Sequence, residues 1–436
     1  MRSWRSIVLW ITGGVSGFAL LYVIFAHLFA ASHRMSPDAR DFGDGFGDPA
    51  AFASTYTVRK HGELSHALRG GALVVEGGGK TGDEILFATS SRRYDDGVVT
   101  LRFRAPDTDA VETFLGFEQT GTGRTVTAGF VGGAAPFVRI GGDVSGPLRA
   151  GTGSQDARVE AAPGEWHTLA VQFTPVHGMI SAALDGRPLL GVHAGWFQGT
   201  EARIVFGARL RSDTPKVSVE LDGLEMHTLD WAILKSFDET FSGEFVDVKR
   251  WSFELPQPDL GTTDVHIEKG KGLLVDAKMR GIIVDPSFIF LIKTFPFPLH
   301  GFRIAAELTV EDLEDATLFV GLMGASAWTS ADRVFDVGVV RHKAEASVFA
   351  AGAWNANGGL AFDRGAEVAL PHRLSCELRY DAATGMGQAT IDGKAYDPHL
   401  LDLKALDIVS VRIGAIGHSA GAKARLHVHR IAVEMR

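Results

Sequence analysis

At 436 residues the chain is long enough for two or three ordinary domains, each with its own buried core. Lysine and arginine number 43 against 52 aspartates and glutamates, a net charge of −9, which argues against nucleic acid as the main partner because phosphate binding needs concentrated positive charge. The 52 glycines, the 45% hydrophobic content and a single cysteine point to a folded chain of many short strands and tight turns, and exclude an intramolecular disulfide and cysteine-built zinc sites.

The first element in chain order is apolar. Residues 7–31 run 25 positions without a formal charge, enough for a helix of about 37 Å. The run is longer than the apolar stretch of a cleavable signal peptide, so it predicts an uncleaved signal anchor. Arg2 and Arg5 precede it, which keeps residues 1–6 in the cytoplasm and sends the bulk of the chain outward. We therefore expect a single-pass protein of a bacterial inner membrane, with its C-terminal bulk in the periplasm. Gly13 and Gly17 form a small-xxx-small pair through which another transmembrane helix could pack.

After a linker over 32–40 the sequence repeats itself. Phe42-Gly-Asp44-Gly-Phe46 matches Phe237-Asp-Glu239-Thr-Phe241 at an offset of 195, and Gly97 matches Gly301 at 204. Trp166 to Phe173 matches His372 to Arg379 at 206, and Asp185-Gly186 matches Asp392-Gly393 at 207. The runs alternate with period two, as at Val217, Val219 and Leu221, and the Asp-Gly steps suit hairpin turns. The expected fold class is all-β: two tandem antiparallel β-sandwiches, 41–229 and 236–436 joined by 230–235, behind one N-terminal transmembrane helix. Cys376 falls on the apolar face of an alternating strand, the setting of a buried core thiol.

The succession of an F-x-[DE]-x-F opening, a Gly-Glu-Trp-His-Thr-Leu strand, an Asp-Gly hairpin and a closing strand such as VSVELDGLEM resembles the concanavalin A-like lectin and glucanase superfamily of jelly rolls. The resemblance covers both copies. It implies the fold and a menu of functions: sugar binding, glycoside hydrolysis or protein contact.

Glu220-Leu-Asp222-Gly-Leu-Glu225 resembles the E-x-D-x-x-E strand of that superfamily's glucanases, in which alternate acids share a face. Retaining hydrolysis needs two carboxyl groups about 5 to 5.5 Å apart. Against it, this cluster ends its repeat, and the second copy has Leu426-His-Val-His-Arg-Ile-Ala in its place. A solvated face accounts for the acids, and the expectation is that the chain is not an enzyme.

No cofactor is expected. Asp41, Asp44 and Asp48 could supply oxygen ligands to calcium, which the resemblance places near a first strand. His427 and His429, with His418 nearby, could hold a metal, although a solvated strand explains them as well. For sugar binding the best loops are Trp354-Asn355-Ala-Asn357 and Trp196-Phe197-Gln198, with packing as the alternative for each aromatic ring.

The copies differ most over 281–299, where Phe288, Phe290, Phe295 and Phe297 replace a polar hairpin of the first copy. The segment reads either as a docking surface or as part of the second core. Anchor, duplicated sandwich and apolar insertion together suggest a non-catalytic scaffold, an accessory subunit of an inner-membrane complex. Its partners would be the lipid bilayer and other transmembrane and periplasmic subunits. The architecture resembles a membrane-anchored accessory subunit of a bacterial photosynthetic reaction centre and light-harvesting supercomplex. The alternatives are a membrane-tethered glycan-binding protein and a glycoside hydrolase.

Overall fold

A computed structural model describes residues 42–435 apart from 95–96, 147–148, 175–178, 198–199, 229–235, 244–245, 248–250, 252–260, 280–288, 297–300, 326–332, 356–359 and 402–407. The anchor run with Gly13 and Gly17 lies outside the described residues. Among these, no helix is long and apolar enough to cross a membrane.

Strict alternation builds the sheets. In the strand Gly301–Glu314, Phe302, Ile304, Ala306, Leu308 and Val310 are buried while the residues between them are half-buried, the pattern of a sheet with one face in a core. All recorded strand pairs are antiparallel, and they assemble into four sheets.

Sheet A runs β14 (Arg187–His193), β13 (Met179–Leu184), β12 (Trp166–Thr174), β7 (Gly97–Arg104), β16 (Thr214–Thr228), β4 (Ala72–Gly79) and β3 (Ser65–Arg69), with β1 (Phe42–Asp44) beside β16. Sheet B runs β11 (Arg149–Arg158), β10 (Phe137–Gly146), β9 (Thr125–Val131), β8 (Val111–Gln119), β15 (Glu201–Leu210), β5 (Glu84–Ala88) and β2 (Thr57–His61), with β6 (Arg92–Arg93) beside β15. A and B enclose one core that includes Phe87, Phe103, Phe117, Phe173 and Phe206. A short helix α1 (Pro49–Thr55), capped by Asp48, adds Phe52 to it.

Sheet C runs β18 (Gly261–Glu268), β19 (Gly272–Met279), β31 (Lys423–Met435), β21 (Gly301–Glu314), β26 (His372–Asp381), β27 (Met386–Ile391) and β28 (Lys394–Ala395), with β17 (Ser236–Glu239) beside β31 and β29 (His399–Leu400) beside β27. Sheet D runs β20 (Ile289–Pro296), β30 (Ile408–Gly417), β22 (Ala316–Ala325), β23 (Arg333–Arg341), β24 (Val348–Asn355) and β25 (Leu360–Glu367). C and D enclose the second core, which holds Trp251, Leu308, Leu318, Val337 and Cys376.

The repeat is visible in backbone detail. Asp44 Oδ1 accepts the N–H of Phe46 at 2.8 Å, and Glu239 Oε1 accepts that of Phe241 at 2.9 Å. Both phenylalanines are buried at positive φ, 52° and 48°. The hairpin at Asp185 and Asp392 is likewise shared, each carboxylate accepting the N–H of Thr168 or Ser375. One expected offset is corrected. Leu169 pairs with Leu184 and Cys376 with Ile391, so the strands match at 207 rather than 206. An offset of 206 would set core-facing Leu169 against outward Ser375.

The two sandwiches touch. Gln172 Nε2, on the outer face of sheet A, donates to the Trp251 carbonyl at 2.7 Å, and Arg187 pairs with Asp264 at 2.7 Å between the edge strands β14 and β18. Val98, Ala170 and Ala183 form a small buried cluster on the same outer face.

Candidate functional site

The E-x-D-x-x-E segment lies on β16. Although last in its repeat, β16 is interior in sheet A, between β7 and β4, and carries a register shift between Leu221 and Gly223. The shift keeps Glu220, Asp222 and Glu225 on the outer face, since Val219, Leu221, Leu224 and Met226 all enter the core. Each acid has a basic neighbour: Arg104 for Glu220, Arg102 for Asp222, and His227 Nε2 at 2.9 Å for Glu225. Both arginines lie over the Trp166 ring, at 4.8 and 5.1 Å.

Of the calcium candidates, Asp41 lies outside the described residues. Asp44 clamps Phe46, and Asp48 accepts the N–H groups of Ala50 and Ala51 at the start of α1. Among the described residues, no group of three or more histidine, cysteine, aspartate or glutamate side chains is arranged to hold a metal. His427 and His429 do share a face, with parallel rings 6.5 Å apart. His427 sits between Glu268 at 3.1 Å and Glu311 at 3.0 Å, and His429 meets Thr309 at 2.7 Å. His418 meets Thr317 and lies 4.3 Å, ring to ring, from His342; its burial, with His342 beside it, holds it below the ordinary histidine value.

Trp196 is held as a packing residue. Its indole N–H donates to the Asp143 carbonyl at 2.6 Å and its ring meets Phe197 edge-on. Trp354 and Asn355 fall on β24, where Trp354 is in register with Val334 and Leu360. Phe290 and Phe295 fall on β20, which pairs with β30 as β5 pairs with β15. In sheet D this strand is the edge among the described strands, whereas in sheet B β2 lies beyond it. Phe288 and Phe297 lie outside the described residues. Cys376 is buried, and its burial, with Asp392 nearby, pushes the thiol up to about 12, which leaves it inert.

The arrangement with most chemistry is one that sequence reading missed, the outer face of sheet B in the first sandwich. Here Ile85, Phe87, Leu115, Phe117, Ile204 and Phe206 point into the core. Their neighbours Glu84, Leu86, Glu112, Phe114, Arg203 and Arg209 therefore point the other way. Strand register aligns Glu84, Arg209, Glu112, Val131 and Phe137 in one row across the sheet. Arg209 stands between two carboxylates, 3.8 Å from Glu84 and 3.4 Å from Glu112, and lies over the Phe114 ring at 5.1 Å. Glu112 is only 5% exposed and its carboxylate lies across Gly129, where any Cβ would collide with it. The next row but one is small: Ala88, Val205, Gly116, Thr127 and Gly141. Phe137 is half-buried under two guanidinium groups, Arg211 at 5.0 Å and Arg139 at 5.5 Å.

The second sandwich has filled the corresponding place. Arg412, Gly321 and Asp336 form one row of sheet D, and Arg412 reaches across the glycine to Asp336, with Nε to Oδ1 at 3.0 Å. A Cβ on Gly321 would strike that carboxylate. Phe319 lies beneath the guanidinium at 4.3 Å. Burial pushes the Asp336 carboxyl up, and Arg412 pulls it the other way.

No protein-family model matches the chain, and no curated protein matches it. Solved structures do. An endo-β-1,3-glucanase from Pyrococcus furiosus is 12% identical, with a TM-score of 0.36 over 43% of this chain and 93% of its own. The laminarinase catalytic domain from Thermotoga maritima is 10% identical, with a TM-score of 0.35 over 43% and 96%. A glycoside hydrolase family 16 endo-glucanase from Bacteroides ovatus is 13% identical, with a TM-score of 0.32 over 43% and 99%. Each of the two units of this chain is an antiparallel β-sandwich. At this identity the likeness is one of fold.

Three expectations are corrected here. The non-catalytic scaffold, the photosynthetic accessory subunit and the absence of enzymatic activity do not stand. The matched structures named above are glycoside hydrolases, and neither they nor the described residues support a scaffold or a photosynthetic assembly.

Proposed function

We propose that the chain is a carbohydrate-active protein and that it engages glycan on the outer face of sheet B. The observation that carries this reading is the row Glu84, Arg209, Glu112, in which two carboxylates converge on one guanidinium beside Phe114 and Phe137. Glycoside hydrolysis requires two carboxyl groups on one face, about 5 to 5.5 Å apart for retention or about 6.5 to 9.5 Å for inversion. Glu84 and Glu112 stand on strands either side of β15, so their backbones are about 9.5 Å apart, with Arg209 between them at 3.8 Å from Glu84 and 3.4 Å from Glu112. Glu220, Asp222 and Glu225, on sheet A, are a weaker choice, because each has its own separate basic partner there and no guanidinium is shared between two of them.

The test is a polysaccharide panel with two readouts, retention and release of reducing ends. Glu112→Gln and Glu84→Gln are expected to abolish release and keep retention, while Phe137→Ala weakens retention. A panel on which the protein neither binds nor cleaves any glycan would overturn the reading. The run 7–31 is proposed as a membrane anchor on its apolar length alone, and carbonate extraction of the full chain from membranes tests it.

A further inference from the structure

On the outer face of sheet B the described carboxylates are engaged, Glu201 by the Ser91 hydroxyl at 3.4 Å. Glu84 and Glu112 flank Arg209, Glu118 holds Arg59, Asp156 holds Arg139, and Asp143 accepts the N–H of Thr125. Three of the guanidinium groups on this face have no carboxylate partner among the described residues. Arg203 and Arg209 alternate outward along β15, Arg211 follows just beyond it, and Arg158 stands in register with Phe137. Among the described residues, no carboxylate pairs with Arg158, Arg203 or Arg211, and Arg203 Nε is a buried donor with no acceptor. On the corresponding face of sheet D the described Arg412 is paired with Asp336.

We propose that this face selects an anionic glycan, one that carries carboxylate or sulfate groups along its chain; the inference rests on the carbohydrate reading of the same face. The planar fork of a guanidinium matches the paired oxygens of a uronate or a sulfate, and an arginine without a protein partner has its N–H groups available for them. Arg203 and Arg209 are six positions apart on β15, about 20 Å, and Arg211 lies just past its end, a span that suits a polymer rather than a single small anion. Phe137 supplies an apolar ring between Arg139 and Arg211 against which a sugar face can lie. The chain's overall charge of −9 gives no general attraction for polyanions, so selectivity here would come from these individual arginines.

The experiment compares binding of the full chain to polygalacturonate, dextran sulfate, neutral laminarin and single-stranded DNA, at about 50 mM and about 500 mM salt. The inference expects polygalacturonate or dextran sulfate to bind more tightly than laminarin and to weaken with salt, and which of the two binds distinguishes carboxylate from sulfate. In the Arg203→Gln/Arg211→Gln double variant that affinity is expected to fall about tenfold or more, with an unchanged melting temperature. Laminarin bound as tightly as the acidic polymers, without salt dependence, would overturn the anionic selectivity and leave the carbohydrate reading standing. No binding to any glycan would overturn both. DNA bound as tightly as the acidic glycans would show general polyanion attraction and overturn the inference.

Discussion

The carboxylate of Asp44 accepts the backbone N–H of Phe46 at 2.8 Å and so holds a fully buried phenylalanine at a φ of 52°, a conformation that side chains other than glycine rarely adopt. Glu239 does the same for Phe241 in the second copy. The ring of Phe46 stacks on Phe206 and meets Phe52 and Tyr56 edge-on, so the turn delivers the ring that closes one end of the core. Asp44→Ala is expected to destabilise the first sandwich by about 1 to 2 kcal/mol in denaturant titration, with Asp44→Asn milder. Because Asp44 and Asp48 already serve backbone N–H groups, added calcium is expected to leave the melting temperature of the wild type unchanged.

The Arg412–Asp336 pair gives the second prediction. Removing one partner leaves a buried charge without compensation, so Arg412→Met is expected to cost about 3 to 5 kcal/mol. The double variant Arg412→Met/Asp336→Leu should recover most of that loss. Equal loss in both variants, measured by chemical unfolding, would mean that the pair contributes little beyond its packing.

A pH dependence follows from His167. Burial opposes its protonation, but Nε2 faces the Ala162 carbonyl at 3.0 Å and Nδ1 faces Asp185 at 2.7 Å, and together with Glu165 these hold the imidazole above its usual 6.5. A histidine raised in the fold stabilises fully below 6.5 and loses that contribution as pH rises through its folded value. Melting temperature is therefore expected to decline from pH 6 upward through the neutral range, and His167→Gln should flatten that decline. An identical profile in the variant would assign the dependence to another group.

Cys376 reports unfolding. With its thiol pushed up to about 12 and packed against the Ala306 carbonyl, alkylation of the native protein should be negligible and should rise with the unfolded fraction. The unfolded thiol ionises near its ordinary value of 9, so this group's contribution to stability falls as pH rises above 9. Fast labelling in native buffer at neutral pH would contradict its burial.

Local pattern made the sandwiches and their duplication legible. Period-two alternation places Val217, Val219 and Leu221 inward as expected, and the Phe-x-acid-x-Phe openings and Asp-Gly turns recur with the same hydrogen bonds. Sequence pattern alone leaves the offset between 206 and 207 open, because no identical residues align Trp166-His-Thr with His372-Arg-Leu. The strand pairing, with the hydrogen bonds from the Thr168 N–H to Asp185 and from the Ser375 N–H to Asp392, fixes the register.

The candidate site was not legible, because Glu84, Glu112 and Arg209 come from three strands far apart in sequence and meet only through sheet register. One signal was present: Glu112-x-Phe114-x-Gly116-x-Glu118 alternates charge, ring and glycine on a face that an ordinary solvated strand would fill with small polar residues. The contiguous acids of β16 drew attention instead, and their arginines, Arg102 and Arg104, lie more than a hundred positions away.

The measurement that tests the central claim most directly compares glycan retention and reducing-end release by the wild type, Glu112→Gln and Glu220→Gln on one polysaccharide panel. The account predicts that release is lost in Glu112→Gln and kept in Glu220→Gln, which places the working face on sheet B. Loss in Glu220→Gln with full activity in Glu112→Gln would contradict it and move the site to sheet A.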